Sequence, residues 1–256
     1  MTAVFGDIRI ETGPGHVATV TISRPPNNFF DADLIESLAT AYDSCDADPD
    51  CRAIVLCSAG KHFCAGAQFR ADAAQDDDPK RLYATAVRLF RAATPVVAAI
   101  QGAAIGGGLG LACSADFRVA CPEARFAANF ARLGFHHGFG LTVTLPRIVG
   151  RQAATELLYT GRRIDGTTAQ QIGLADYLVD SGSLVAKAHE LAAELAAAAP
   201  LAVRAIRATM RDGLAAAVET ATGHELREQD RLRQTDDWRE GIRASSERRE
   251  PRFTGR

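Results

Sequence analysis

The sequence predicts an α/β fold with mainly buried strands and a helical C-terminal region. Two runs of strand length, Ala53–Cys57 and Pro95–Ile100, are apolar throughout, as strands covered on both faces read. Strand-like runs alternate with helix-like ones up to about residue 180, the pattern of an α/β core. From Leu184 onward only helical patterns remain. Taken in order, Val17–Ile22 is β-branched and roughly alternating, and it ends at Arg24-Pro25-Pro26-Asn27-Asn28. Asp31 or Asp33 then caps a helix through Leu34, Leu38 and Tyr42. A helix from Gly108 to Ala115 precedes the strand Phe117–Ala120. The polar, acidic stretch 71–80 reads as a surface loop, with a lid as the alternative. Leu184–Ala199 is Ala-rich and helical, Pro200 interrupts it, and helices rich in Arg and Glu run to about Ser246. Without a tandem repeat or a long linker, the chain divides into a core, 1–195, and a helical appendage, 196–256.

The 256 residues suffice for a sizeable core, and the composition is that of a globular protein, 47% hydrophobic and 23% charged. A net charge of −2 offers no basic excess for nucleic acid. The N-terminus has neither the basic start nor the apolar run of a signal peptide. The least polar stretch, Pro95–Ala115, is interrupted by Gln101 and several glycines, so it suits a buried strand and turn rather than a membrane span. The six cysteines, at 45, 51, 57, 64, 113 and 121, form no C-x-x-C and the six histidines lack zinc spacing. Reduced, buried thiols in a cytoplasmic protein without a metal are the expectation.

Two glycine-containing turns follow the two apolar strands: His62–Phe69, and Gln101–Gly110 with its run Gly106-Gly107-Gly108. Glycine lets backbone N–H groups approach a ligand unobstructed, and a helix starting at such a turn aims its unpaired N–H groups at an anion. Each turn alone is as well explained as a tight turn. Two converging on one carbonyl would make an oxyanion hole. The spacings fit neither G-x-G-x-x-G, nor a P-loop, nor G-x-S-x-G.

The residues Phe63-Cys64-Ala65-Gly66-Ala67, Pro95 to Gly108, Ala115 to Ala120, Leu145 to Gly150, Thr160 to Ile164, Ala169 to Leu174, Glu240-Gly241-Ile242 and Arg248-Arg249 together resemble the enoyl-CoA hydratase/isomerase (crotonase) family. The resemblance runs the whole chain in order. It implies a crotonase-type spiral of ββα units with a C-terminal helical trimerisation region, hence a homotrimer or homohexamer. It implies an acyl-CoA thioester as ligand and no separate cofactor, coenzyme A being part of the substrate. The family's oxyanion donors fall on the N–H groups of Ala67 and Gly107. Coenzyme A contacts fall on Arg24, Pro26, Ala65, Gln68, Phe69 and Arg70. Arg248 falls where a cation meets the phosphates of a coenzyme A held by a neighbouring subunit, a solvated surface charge being the alternative.

The resemblance breaks at the acid/base groups. Hydratases of the family use two glutamates, and those positions are Gly110 and Phe130 here. The acidic position after the first turn is Gln68, and the isomerases' aspartate falls on Gly138. His136 and His137 are the titratable groups left in that stretch, as proton carriers or as packing for the turn. Phe130 makes the pocket more apolar, which suits a fatty or aromatic acyl chain and equally suits packing. Two functions follow: an isomerase- or lyase-type enzyme on acyl-CoA without the usual glutamates, or a non-catalytic acyl-CoA-binding protein.

Overall fold

A computed structural model of the chain describes residues 2–67 and 78–256. It opens with a meander, β1 (Thr2–Phe5), β2 (Ile8–Thr12) and β3 (Val17–Ile22), followed by α1 (Ala32–Ala47), β4 (Ala53–Ser58), α2 (Pro79–Arg91) and β5 (Val96–Ile100). The middle holds β6 (Ala103–Ile105), α3 (Gly107–Ser114), β7 (Phe117–Ala120), β8 (Arg125–Ala127), a 3-10 turn at Asn129–Leu133 and α4 (Leu141–Thr160). Then come β9 (Arg163–Asp165), α5 (Gly166–Gln171), β10 (Tyr177–Leu178), α6 (Leu184–Ala197), α7 (Pro200–Met210), α8 (Leu214–Leu232) and α9 (Asp236–Glu247).

The larger sheet has the order β1-β2-β3-β4-β5-β7-β10, antiparallel through β3 and parallel beyond it. A smaller sheet, β6-β8-β9, turns off beside it. The apolar runs of β4 and β5 are explained by burial on both faces. Ile54, Leu56, Val96, Ala98 and Ile100 face the main core with α1 and α2. Their neighbours Ala53, Val55, Cys57, Val97 and Ala99 pack under Leu184, Ala188, Leu191 and Ala192 of α6. Each fully buried aliphatic side chain of this kind contributes about 1.5–3 kcal/mol of transfer free energy. All six cysteines are free and buried.

Helix α1 begins where the sequence says it should. Asp31 caps α1 by accepting from the Leu34 N–H at 2.8 Å. Pro200, expected only to interrupt a helix, occupies the first turn of α7, where its missing N–H costs nothing. Helix α3 starts at Gly107, one residue earlier than its glycines suggest, with Gly106 at φ 58 outside it. Asp116, just after α3, accepts from the Val96 N–H at 2.8 Å, from Arg207 Nε at 2.9 Å and from Arg211 Nη1 at 2.9 Å. One carboxylate thereby ties α7 and the residue after it to the end of the sheet. No described helix is long and apolar enough to cross a membrane.

Candidate active site

The chain leaving β3 is shaped by two polar side chains. Asn28, fully buried, donates to the carbonyls of Ala59 at 2.9 Å and His62 at 2.6 Å and accepts from the Arg24 N–H at 2.9 Å. Arg24 spans Asp7 at 2.7 Å and Asp31 at 2.6 Å. The turn so fixed delivers Phe30 to a parallel bridge with Ala67, and Cys64 bridges Ala104 in the same way. Phe30 donates its N–H to the Gly66 carbonyl at 3.0 Å, and Ile105 donates to Cys64 at 3.1 Å. The two glycine turns are therefore laced edge to edge.

This lacing leaves two amides over. The Ala67 N–H has no acceptor among the described residues, because its bridge to Phe30 uses the Gly66 carbonyl instead. The Gly107 N–H, first in α3, has none either, as the start of a helix dictates. Both residues line one cleft of about 1360 Å³. A β-carbon at 107 would lie 2.3 Å from the Phe30 ring, so glycine is what lets that amide face the cleft beside an aromatic wall.

The cleft wall is strongly aromatic, with Phe30, Phe130, Phe135, Phe139 and Trp238. Phe139 packs edge-on to Phe30 at 5.5 Å. It holds a left-handed backbone, φ 60, next to Gly140 at φ 73. The clamp on this turn is Glu225 of α8, fully buried, which accepts from the Gly140 and Thr142 N–H groups at 2.9 and 3.0 Å and from the Thr142 hydroxyl at 2.6 Å. A β-carbon at Gly110 would stand 2.6 Å from Phe139 Cβ, so the ring fills the space a side chain at 110 would need. At Gly138 a β-carbon would stand 2.0 Å from the Tyr83 hydroxyl. Tyr83 donates to Gln229 Oε1 at 3.0 Å, and Gln229 Nε2 donates to the carbonyls of His136 and His137 at 3.1 and 3.3 Å. Burial holds the Tyr83 hydroxyl well above its ordinary pKa, so it keeps its proton. The carboxylates lining the cleft among the described residues are Asp31 and Asp33, bound by Arg24 and by Arg81 at 2.8 Å. A poised carboxylate base is absent among those residues.

Of the residues singled out in the sequence, Arg24, Pro26, Ala65, Ala67, Gly107 and Phe130 meet at this cleft. Gln68, Phe69 and Arg70 lie outside the described residues, as does most of the 71–80 loop. Arg248 is exposed at the C-cap of α9 and does not line its own chain's cleft. The rings of His136 and His137 do not line it either. They stack on each other at 4.1 Å, and His136 donates through Nδ1–H to its neighbour's carbonyl, 2.8 Å away. His137 Nε2 meets the Thr142 hydroxyl at 2.8 Å, and that hydroxyl donates onward to Glu225. The carboxylate itself is 3.9 Å from the ring, and the hydroxyl completes the chain without a charged histidine. Burial, with His136 and His224 adding to it, pushes His137 down to about 4, so the ring is neutral near neutral pH. Sequence reasoning passed over Tyr83, Gln229, Arg233 and Phe139. The spacing of Glu225, Gln229 and Arg233, one helical turn apart, was the signal available for a shared face.

The enoyl-CoA hydratase/isomerase family model matches residues 12–256. A putative enoyl-CoA hydratase/isomerase from Bacillus subtilis is 34% identical, covering 94% of this chain and 95% of its own. A carnitinyl-CoA dehydratase from Proteus mirabilis is 32% identical, covering 96% and 97%. The solved structure of a carnitinyl-CoA dehydratase from Mycobacterium avium superposes with a TM-score of 0.86 at 33% identity, over 98% of this chain and 99% of that one. An enoyl-CoA hydratase/isomerase from Pseudoalteromonas atlantica gives 0.85 at 26% identity, over 97% of this chain and all of its own. With the laced glycine turns and the ββα spiral in place, these matches settle the kinship: the chain belongs to the enoyl-CoA hydratase/isomerase family.

Proposed function

We propose that the cleft binds an acyl-CoA thioester, holds its carbonyl between the N–H groups of Ala67 and Gly107, and stabilises the enolate without the pair of glutamates a hydratase uses. The observation that carries this is the two unclaimed amides on one aromatic cleft whose lining carboxylates, among the described residues, are both bound by arginine. Donors aimed at developing charge in a water-poor site are typically worth about 2.7–4 kcal/mol each. Gln68, Phe69 and Arg70 are proposed to contact the coenzyme A, as are Pro26 and Ala65. Arg24 is committed to Asp7 and Asp31, so its part is to shape that wall.

The paired lining carboxylates also favour a second reading, a binder of acyl-CoA that does not turn it over. The two part on one experiment. Thermal stability measured with saturating acyl-CoA should rise under both, since a ligand of the native state stabilises it. Turnover across enoyl- and β-ketoacyl-CoA esters should appear only under the first. Ordinary hydration of crotonyl-CoA should be slow or absent, each acid/base group being worth on the order of 100- to 10,000-fold. Hydration at the speed of an efficient hydratase would sink the reading of positions 110 and 130.

The same proposal includes a homotrimer or a hexamer of two trimers. Helix α7 supports it: none of its residues is buried, and Leu201, Ile206 and Met210 are 81%, 63% and 79% exposed. In such an assembly Arg248 would serve the coenzyme A phosphates of a neighbouring subunit.

A further inference from the structure

Among the described residues, one cation of the cleft has a charge that is not closely matched. Four arginines line the cleft among those residues. Arg24, Arg81 and Arg239 each hold an aspartate at 2.6–2.8 Å. Arg233 has only Asp230, at 3.6 Å through Nη1, and Asp230 is half exposed, so water screens the pair. The Arg233 Nε is buried and has no acceptor among the described residues. Arg52, Arg207 and Arg211 also leave a buried nitrogen unpaired, but none of them lines the cleft. A buried guanidinium N–H without a partner is costly, and at a binding site it marks the place where a ligand oxygen completes the set.

The surroundings say what kind of oxygen. Arg233 lies over the Phe135 ring at 5.3 Å, and Phe135 meets Trp238 at 4.5 Å, so the guanidinium sits over an apolar wall. One turn back on α8, Gln229 holds the Tyr83 hydroxyl, which feels the charges of both Glu225 and Arg233. A planar cation with an open N–H edge suits a carboxylate, which it can bind through two parallel hydrogen bonds. Tyr83 can turn its proton from the neutral Gln229 amide to that carboxylate, because a charge-assisted bond is roughly twice as strong.

We propose, resting on the acyl-CoA reading above, that this cleft selects acyl groups bearing a carboxylate beyond the thioester, anchored by Arg233 and the Tyr83 hydroxyl. The substrate class is then the mono-CoA thioesters of dicarboxylic acids.

Calorimetric titration of the full chain with three length-matched pairs tests this: succinyl- against butyryl-CoA, glutaryl- against valeryl-CoA, and adipoyl- against hexanoyl-CoA. At least one carboxylated ester should bind on the order of tenfold or more tighter than its match. Arg233→Met should erase that advantage, weakening the carboxylated ester on the order of tenfold more than the plain one, while Arg233→Lys keeps part of it and Tyr83→Phe loses a smaller part. Unchanged circular dichroism confirms that each variant is folded. Equal affinities within all three pairs overturn the proposal. So does an Arg233→Met loss that is the same for both esters and for coenzyme A itself, since Arg233 would then serve the phosphates. Failure of every ester to bind is a different result, which removes the acyl-CoA reading along with this one.

Discussion

Phe139 decides more at the centre of this cleft than any charged residue. Its ring takes the room beside Gly110, so Gly110→Glu must displace the buried Phe139 side chain. We expect that substitution to cost about 1–3 kcal/mol by overpacking. Urea unfolding checks it, and an unchanged midpoint would show that the ring swings aside freely. The sequence showed that position 110 has no acid; it could not show that position 139 closes the gap, because that contact joins α3 to a left-handed turn distant in sequence. The two histidines were legible as titratable groups in the right stretch. Their direction was not legible, since adjacent residues in a tight turn diverge and only the fold says which ring is covered. His137 yields a separate expectation. Its folded pKa, about 4, lies below the ordinary unfolded value near 6.5, so between those pH values the unfolded chain binds the extra proton. Stability should therefore fall as pH drops from about 6.5 to 4, by up to roughly 3 kcal/mol from this group. His62 and His189, also lowered by burial, act in the same sense. His137→Gln should flatten part of that slope in unfolding midpoints taken across the window.

Among the elements, helix starts were the easiest to foresee and helix faces the hardest. Asp31 was one of two candidate caps for α1, and it serves while also holding Arg24. Asp31→Ala should cost about 0.5–2 kcal/mol for the cap alone. It should also loosen the turn carrying Pro26, which a faster proteolytic cut near residues 24–30 would report. A stability loss without any change in cleavage would confine Asp31 to capping. Helix α8 shows the opposite case. Its arginines and glutamates made it look like a helical appendage to the core, yet Glu225, Gln229 and Arg233 turn inward to clamp, line and charge the cleft. Charge alone could not reveal this, because burial of a carboxylate depends on the three donors that α4 brings to meet it.

For the whole molecule, the α/β core was legible because two strands buried on both faces cannot be mistaken for amphipathic ones, while its spiral arrangement came only from the resemblance along the chain. The assembly is the expectation still to be measured, and α7 is where to measure it. Light scattering should give a mass of three or six chains, and Leu201→Glu with Met210→Glu should lower it toward one. A stable monomer in the unaltered protein at micromolar concentration would remove the trimer from the proposal.

The Asp116 junction has a consequence for how the protein opens. Arg207 of α7 and Arg211 just beyond it reach the same carboxylate that accepts the first amide of β5. Peeling α7 away would strand that carboxylate against the sheet, partly buried and stripped of both cations. Local fraying of the helical layer is thereby coupled to loss of the sheet's end. In hydrogen–deuterium exchange the Val96 amide should consequently exchange in step with the amides of α7, and Asp116→Asn should let the helix exchange ahead of the strand.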